Sequence, residues 1–291
     1  MSPEPRRCHD DADLFRAALS YTQSETGFSA RLVEKDYYCS LLLEDLLAAT
    51  SPQWAFKGGT CFSKVHSDFY RMSEDLDFAC SIPVDASRSR RSKLILPIKE
   101  HVAKVAGRLA CFKVVEELRG FNQSAQYIGG MTYRSLVTGQ DELIKVEFSI
   151  REPILERVEH LPARTLLIDP FRHVAMVAPL AVPVLSRRES YAEKLRAALT
   201  RREPAIRDFY DIDHGARSGR LSIGDRRLIE LVQSKLGVPG NDLIDLSDKK
   251  YEALARQVQT QLRPVLRETD FAAFDLNRAF GIVGQLALSL Q

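Results

Sequence analysis

The sequence predicts an α/β (α+β) protein, with a mixed sheet in its N-terminal part and helices alone in its C-terminal part. Short strands are predicted at about 54–56, 76–80 and 142–150, and apolar residues alternate with polar ones in the last of these and at the start of the second. Beyond Pro183 they recur almost to the end of the chain at the spacing of helices. The change of pattern places a boundary near 165–185, and we assign residues 1–175 and 176–291 to the two parts.

The same periodicities predict the elements in order. Helices are expected at about 10–22, 29–48 and Thr60–Val65, and one long helix over 88–118 with an interruption at Pro97. The strand at about 125–137 and the strand at 142–150 flank a turn. Five C-terminal helices are expected at about 187–201, 204–214, 221–236, 247–266 and 270–288.

Composition excludes several classes of protein. A chain of 291 residues with 45% hydrophobic content can bury one large core or two modest ones. Its longest apolar run, 174–185, contains two prolines and is too short to span a bilayer. Five widely spaced cysteines without a CxxC pair, and an N-terminus without an apolar signal, predict a reduced cytoplasmic protein. The net charge of +2 does not by itself indicate nucleic-acid binding.

Two strands carry acidic residues on one face. Side chains alternate along a strand, so Asp75 and Asp77 share a face, and Glu147 lies opposite the apolar face of its own strand. If the two strands are neighbours, the three carboxylates can hold Mg²⁺ or Mn²⁺, which prefer oxygen ligands. The alternative is a half-exposed sheet with acidic residues on its solvent-exposed face and no metal site.

A glycine turn precedes the first acidic strand. Lys57 is followed by Gly58, Gly59 and Thr60, a pattern in which backbone amides can approach a phosphate closely. Lys57 precedes the glycines, so the pattern is not a Walker A loop. An ordinary strand-to-helix turn is the other interpretation, and the acids that follow favour the phosphate site.

The order of these motifs resembles a known family. Phe56–Thr60 (FKGGT) followed by Arg71–Phe78 (RMSEDLDF) looks like the signature of the AbiEii/AbiGii nucleotidyltransferase toxins, which include the MenT-like toxins and belong to the DNA polymerase β-like superfamily. Glu34–Tyr37 (EKDY), Glu193–Leu199 (EKLRAAL) and Arg207–Asp211 (RDFYD) are similar to its other motifs. Together the motifs cover about residues 30–215.

The resemblance implies a polymerase β-like fold and transfer of a nucleotide from an NTP to an RNA 3′ end, with the tRNA acceptor stem as the expected target. It also implies a type IV toxin–antitoxin system with a cognate antitoxin, whether or not the two proteins touch. The short, proline-broken apolar run predicts no membrane partner. Asp75, Asp77 and Glu147 would hold the metal ions. The nucleotide would contact Lys57, Gly58, Gly59, Thr60, Arg71 and Ser73.

The C-terminal motifs have their own physical reading. Ser186–Glu189 fits a capping box at the start of a helix. Lys194 on that helix either extends to water or neutralises a triphosphate, in which case Asp208 could hold it in position and both residues would serve catalysis. Asp211 is expected to pair with Arg207 one turn away.

Basic residues flank the same helix. Two interpretations are open for these residues: they contact an RNA backbone, or they are solvated charges at helix ends. The residues are Arg187, Arg188, Arg201 and Arg202.

Two other functions use the same residues. The site could pass the γ-phosphoryl group to a protein as a kinase does, or the fold could bind a nucleotide without catalysis. The presence of both Asp75 and Asp77 argues against the non-catalytic reading.

Overall fold

The computed structural model describes residues 7–49, 54–83 and 85–290. These residues form two compact units. The first contains the chain up to Pro153 together with Glu159–Val184, and the second contains Ile154–Val158 together with the chain from Leu185 onwards. The expectation that the chain carries no secretory signal depends in part on residues 1–6, which lie outside the described residues.

A mixed sheet of seven strands is the centre of the first unit, which confirms the predicted fold class. Its strand order is β3-β4-β5-β2-β1-β7-β6. The pairs β2–β5 and β1–β7 are parallel, and the other neighbours are antiparallel. The strands are β1 (Trp54–Lys57), β2 (Leu76–Cys80), β3 (Phe112–Phe121), β4 (Gln126–Arg134), β5 (Asp141–Ser149), β6 (Glu159–Ala163) and β7 (Leu180–Val184).

Five α-helices accompany this sheet in the part of the first unit that the structure describes. They are α1 (Ala12–Thr26), α2 (Ala30–Leu47), α3 (Gly58–Cys61, continued by a π-helical turn Phe62–His66), α4 (Arg88–Ala103) and α5 (Val105–Arg108). The side chain of Ser29 accepts a hydrogen bond from the Leu32 amide and so begins α2. Every residue of α2 from Leu32 to Leu43 is buried, including three charged ones that need partners.

Aromatic residues hold together the strands that carry the predicted acids. Phe78 of β2 stacks on Phe148 of β5 with ring centroids 4.6 Å apart, and Phe56 of β1 lies 5.5 Å from Phe78. All three rings are fully buried. Because side chains alternate along a strand, this buried face directs Asp77 and Glu147 to the opposite face.

Three predictions about elements of the first unit were wrong. The long helix expected over 88–118 ends at Ala103, and its last part is strand β3, which pairs with β4 over its length. Strands β6 and β7 were not foreseen, because each contains a proline. Helix α3 begins at Gly58 and not at Thr60.

The second unit is helical, as predicted. Its helices are α6 (Arg187–Thr200), α7 (Ile206–Arg217), α8 (Arg226–Leu236), α9 (Asp248–Gln257), α10 (Glu268–Ala273) and α11 (Leu276–Ser289). The helix expected over 247–266 is α9 followed by a π-helical and a 3-10 turn. The one expected over 270–288 is the pair α10 and α11.

All five cysteines are free thiols. Within the ranges described, no helix combines the length and the apolar character needed to cross a membrane.

Candidate active site

Two of the predicted acids lie side by side on parallel strands. Asp77 of β2 is the register partner of Glu147 of β5, so both side chains leave the same face of the sheet at the same level. Lys57, the last residue of β1, is the partner of Asp77 on its other side. Asp75 lies two residues earlier, in the segment that leads into β2. The strand adjacency that the three-carboxylate prediction requires is therefore present.

The glycine turn lies directly against the Asp77 carboxylate. Gly58 has a φ of +74°, a conformation that side-chain-bearing residues rarely adopt. A Cβ atom placed on Gly58 would lie 2.2 Å from Asp77 Oδ2. A Cβ on Gly59 would lie 2.6 Å from Arg71 Nη2 and 2.7 Å from Ser73 Oγ. Neither glycine can carry a side chain without moving a predicted site residue.

The segment between the turn and β2 is held by side chains. Thr60 donates a hydrogen bond from its hydroxyl to the Asp75 carbonyl, so Thr60 fixes the backbone of a predicted metal ligand. Ser63 donates to the carbonyl of Arg71 at 2.6 Å. Arg71 is 1% exposed and donates from Nη1 to the carbonyl of Met72 at 3.0 Å. The predicted nucleotide-binding residues Gly59, Thr60, Arg71 and Ser73 are thus brought together.

Helix α2 supplies buried charges to three neighbouring segments. Glu34 accepts hydrogen bonds from the hydroxyl of Ser135 and the amide of Leu136. Lys35 Nζ lies 2.8 Å from Oε2 of Glu74, the residue that immediately precedes Asp75 in the chain.

Asp36, the third charged residue of this helix turn, receives Lys64 Nζ at 2.7 Å, and both side chains are almost fully buried. Sequence similarity alone had singled out this EKD element, without indicating that each of its charges has a separate partner.

Lys194 of the second unit has two carboxylate partners. Its Nζ lies 2.7 Å from Asp208 Oδ1 and 2.9 Å from Asp211 Oδ2. Burial raises the pKa of Asp208, but the charges of Lys194 and Arg201 outweigh this and hold that pKa below its usual value. The sequence predicted the Lys194–Asp208 pair. It was wrong to restrict Asp211 to a pair along its own helix, because Asp211 also faces Lys194 from α7.

The predicted RNA-contacting arginines are mostly engaged in ion pairs. Arg188 Nε lies 2.9 Å from Asp225 Oδ2, and Arg201 Nη1 lies 3.0 Å from Asp208 Oδ2. Arg202 Nε lies 3.6 Å from Asp242 Oδ2, with both side chains exposed. Arg187 is exposed at the first position of α6.

The donor set fits a hard divalent cation in chemical type. Carboxylate oxygens are the ligands that Mg²⁺ and Mn²⁺ prefer, and Asp77 and Glu147 present two of them from adjacent strands. Among the described residues, no group of three or more His, Cys, Asp or Glu side chains is already arranged to hold a metal ion.

Comparison with known proteins gives one family match. Residues 41–277 match the model of a family described as nucleotidyl transferase AbiEii toxin, type IV TA system. None of the curated proteins matches the chain.

Among solved structures, the chain is similar to JHP933 from Helicobacter pylori, with 16% identity, a TM-score of 0.47, and coverage of 88% of this chain and 92% of that one. A second H. pylori structure, described as that of a candidate nucleotidyltransferase, has 16% identity, a TM-score of 0.46, and coverage of 89% and 90%.

Proposed function

The chain belongs to the AbiEii nucleotidyltransferase toxin family of type IV toxin–antitoxin systems, and on that premise we propose that it transfers a nucleotide from an NTP to the 3′ end of an RNA. The tRNA acceptor stem is the proposed acceptor, because a blocked 3′ end would prevent aminoacylation and arrest growth. The observation that supports this best is the pairing of Asp77 with Glu147 directly beside the glycine turn.

The reaction that this arrangement suits is an in-line displacement at the α-phosphorus. The 3′ hydroxyl of the RNA forms the new P–O bond, and pyrophosphate leaves. Asp75, Asp77 and Glu147 are the proposed metal ligands. A bound Mg²⁺ or Mn²⁺ would offset charge on the triphosphate and lower the pKa of the attacking hydroxyl.

Other residues of the chain bind and orient the nucleotide. We assign the amides of Gly58 and Gly59, and the side chains of Lys57, Arg71 and Ser73, to the phosphates. Only a residue without Cβ allows the backbone to come this close to the carboxylate and guanidinium groups. The hydroxyl of Thr60 contributes by holding the Asp75 backbone.

Lys194 is the proposed cation for the leaving pyrophosphate. Its carboxylate partners Asp208 and Asp211 hold its ammonium group in place and restrict its rotamers. Preorganised positive charge of this kind stabilises charge that develops in a transition state. Arg187 and Arg188, with Arg201 and Arg202, are the proposed contacts to the RNA backbone.

Labelled nucleotides test the proposal. The protein is incubated with total RNA and each NTP in turn, labelled at either the α- or the γ-phosphate. We expect α-label on RNA, none in the Asp77→Asn variant, and one added nucleotide type when the RNA 3′ ends are sequenced. Transfer of γ-label to a protein would instead identify a kinase. Absence of label from every acceptor, with NTP still bound, would identify a non-catalytic module.

A further inference from the structure

The segment that carries Ser73 and Asp75 is not part of the sheet. Residues 72–75 form neither helix nor strand, and β2 begins only at Leu76. The position of Asp75 therefore depends on side-chain contacts to this segment. Thr60 donates to the Asp75 carbonyl, the thiol of Cys39 lies 3.7 Å from the Glu74 carbonyl, and Lys35 contacts the Glu74 carboxylate. Two of these three contacts come from α2.

A cluster of four charges ties α2 to both acid-bearing strands. Lys35 Nζ lies 2.8 Å from Glu74 Oε2 and 3.9 Å from Glu142 Oε2. Arg31 forms a bidentate pair with Glu142, at 2.8 Å from Nε and 2.7 Å from Nη2, and its Nη1 lies 3.2 Å from Glu74 Oε1. Each cation thus contacts both carboxylates.

The two carboxylates of this cluster stand where the parallel strands begin. Glu74 immediately precedes Asp75, two residues before β2, and Glu142 is the second residue of β5, on the strand that carries Glu147. We call the four residues Arg31, Lys35, Glu74 and Glu142 the clamp. Because it joins these two points, the clamp fixes β5 relative to the segment before β2. It therefore also fixes the distance between Asp75 and Glu147.

Charge gives a second reason for the clamp. Glu74 and Glu142 both contact Lys35, and two like charges this close would repel one another in a partly buried site without the cations between them. Lys35 is 7% exposed and Glu142 is 13% exposed, so water screens their attraction weakly. Bidentate arginine–carboxylate pairs also restrict geometry more than a point charge does.

We propose that Lys35 and Arg31 are positioning residues for the transfer reaction, holding Asp75 and Glu147 at the separation that the metal site requires. This inference rests on the proposed function for its catalytic part and on the clamp geometry for its structural part. Removing residues that orient metal ligands costs on the order of 10- to 100-fold in metal affinity or activity.

The test compares Lys35→Met and Arg31→Met with Arg108→Met. Arg108 is a matched control because it also forms a bidentate pair with α2, to Asp45 at 2.7 and 2.8 Å, with a side chain about as exposed as that of Arg31. It lies on α5, and its partner Asp45 is near the C-terminal end of α2, ten residues after Lys35. Amide hydrogen exchange over 72–77 is measured without metal or nucleotide, and kcat and the half-saturating Mg²⁺ concentration are measured with labelled NTP.

We expect faster exchange over 72–77 in both clamp variants, a kcat lower by about 10-fold or more, and a half-saturating Mg²⁺ concentration higher by a similar factor. Arg108→Met should change none of these. Lys35→Arg should recover most of the loss, because it keeps the charge. If Lys35→Met does not fold, Glu142→Gln weakens the same clamp while preserving side-chain shape.

Unchanged exchange over 72–77, or an equal change in Arg108→Met, would overturn the clamp. Faster exchange with unchanged kcat and Mg²⁺ dependence would overturn its role in the reaction. If the wild-type protein transfers no nucleotide, the proposed function fails. The exchange measurement then still decides whether α2 holds the segment that carries Asp75.

Discussion

Replacing Gly58 by alanine should remove most of the transferase activity while leaving the protein folded. Gly58 has φ +74°, and a Cβ at this position lies 2.2 Å from Asp77 Oδ2 and 2.9 Å from Asp77 Cγ. Ordinary van der Waals contact begins at 3.4 Å, so the carboxylate must retreat by about 1.2 Å, from 2.2 to 3.4 Å.

Two effects of the substitution have different sizes. The positive φ destabilises an alanine by about 1 to 2 kcal/mol. The displaced carboxylate matters more for the reaction, because a misplacement of about 1 Å can cost on the order of 100-fold in rate. Turnover of α-labelled NTP into RNA at saturating Mg²⁺ measures the second effect, and urea unfolding measures the first.

Gly139→Ala is the matched control for backbone strain. Gly139 has φ +66°, and a Cβ there would meet no heavy atom within 4 Å. Both variants should lose a similar amount of stability from strain, with a further loss in Gly58→Ala from the overlap. Only Gly58→Ala should lose turnover. Equal turnover in the two variants would refute the inference that the turn is glycine because the Asp77 carboxylate occupies the space of a side chain.

Substitutions elsewhere in the chain separate charge effects from structural ones. Lys194→Ala should lower kcat at least about 10-fold, or about 1.4 kcal/mol in the transition state; an unchanged kcat with a lower melting temperature would show that the lysine is structural. Arg187→Ala should reduce the slope of log K against log salt for RNA binding by about 1, and an unaltered slope would exclude this contact. Lys64→Met should cost about 3 to 5 kcal/mol in urea unfolding, because it leaves the Asp36 carboxylate buried without its cation; a loss below about 1 kcal/mol would contradict the ion-pair argument. Burial and neighbouring arginines lower the pKa of His214 to about 4, so the unfolded chain binds a proton that the folded chain does not between about pH 6.5 and 4. Stability should therefore fall as the pH falls through that window, and His214→Gln should lose less there than the wild type; parallel curves would contradict the pKa shift.

The fold was predictable where one pattern dominated. Strand β2 occurs at the predicted Leu76–Cys80, because alternating acids and apolar residues allow only one interpretation. The prediction of helix over the residues of β3 was wrong because residues 112–118 also satisfy helical spacing. Its antiparallel pairing with β4 over the whole strand decides the conformation. Such pairing is a long-range contact that local spacing does not contain.

The candidate site, too, was predictable in part from local patterns and in part not. Asp75, Asp77 and Glu147 could be proposed from strand alternation, and the parallel pairing of β2 with β5 confirms that the strands of Asp77 and Glu147 are adjacent. Asp75 lies just before β2, outside the strand. Asp211, the second carboxylate partner of Lys194, was missed because it was assigned to Arg207, one turn away on its own helix. Glu142 was missed because its partner Arg31 is 111 positions distant in the chain.

The segment Ile154–Val158 belongs to the second unit, although the chain on both sides of it belongs to the first. This arrangement limits where the protein can be divided into fragments. The polypeptide crosses from one unit to the other at 153/154, 158/159 and 184/185. Glu189 on α6 accepts the amides of Leu155 and Glu156 at 2.9 and 2.8 Å, so a fragment beginning at Leu185 would contain the acceptor without its two donors. A fragment ending at Val184 would contain the two donor amides without the Glu189 carboxylate that accepts them. Truncation at Val184 or Leu185 should therefore destabilise the helical unit, because Glu189 loses these two amide donors.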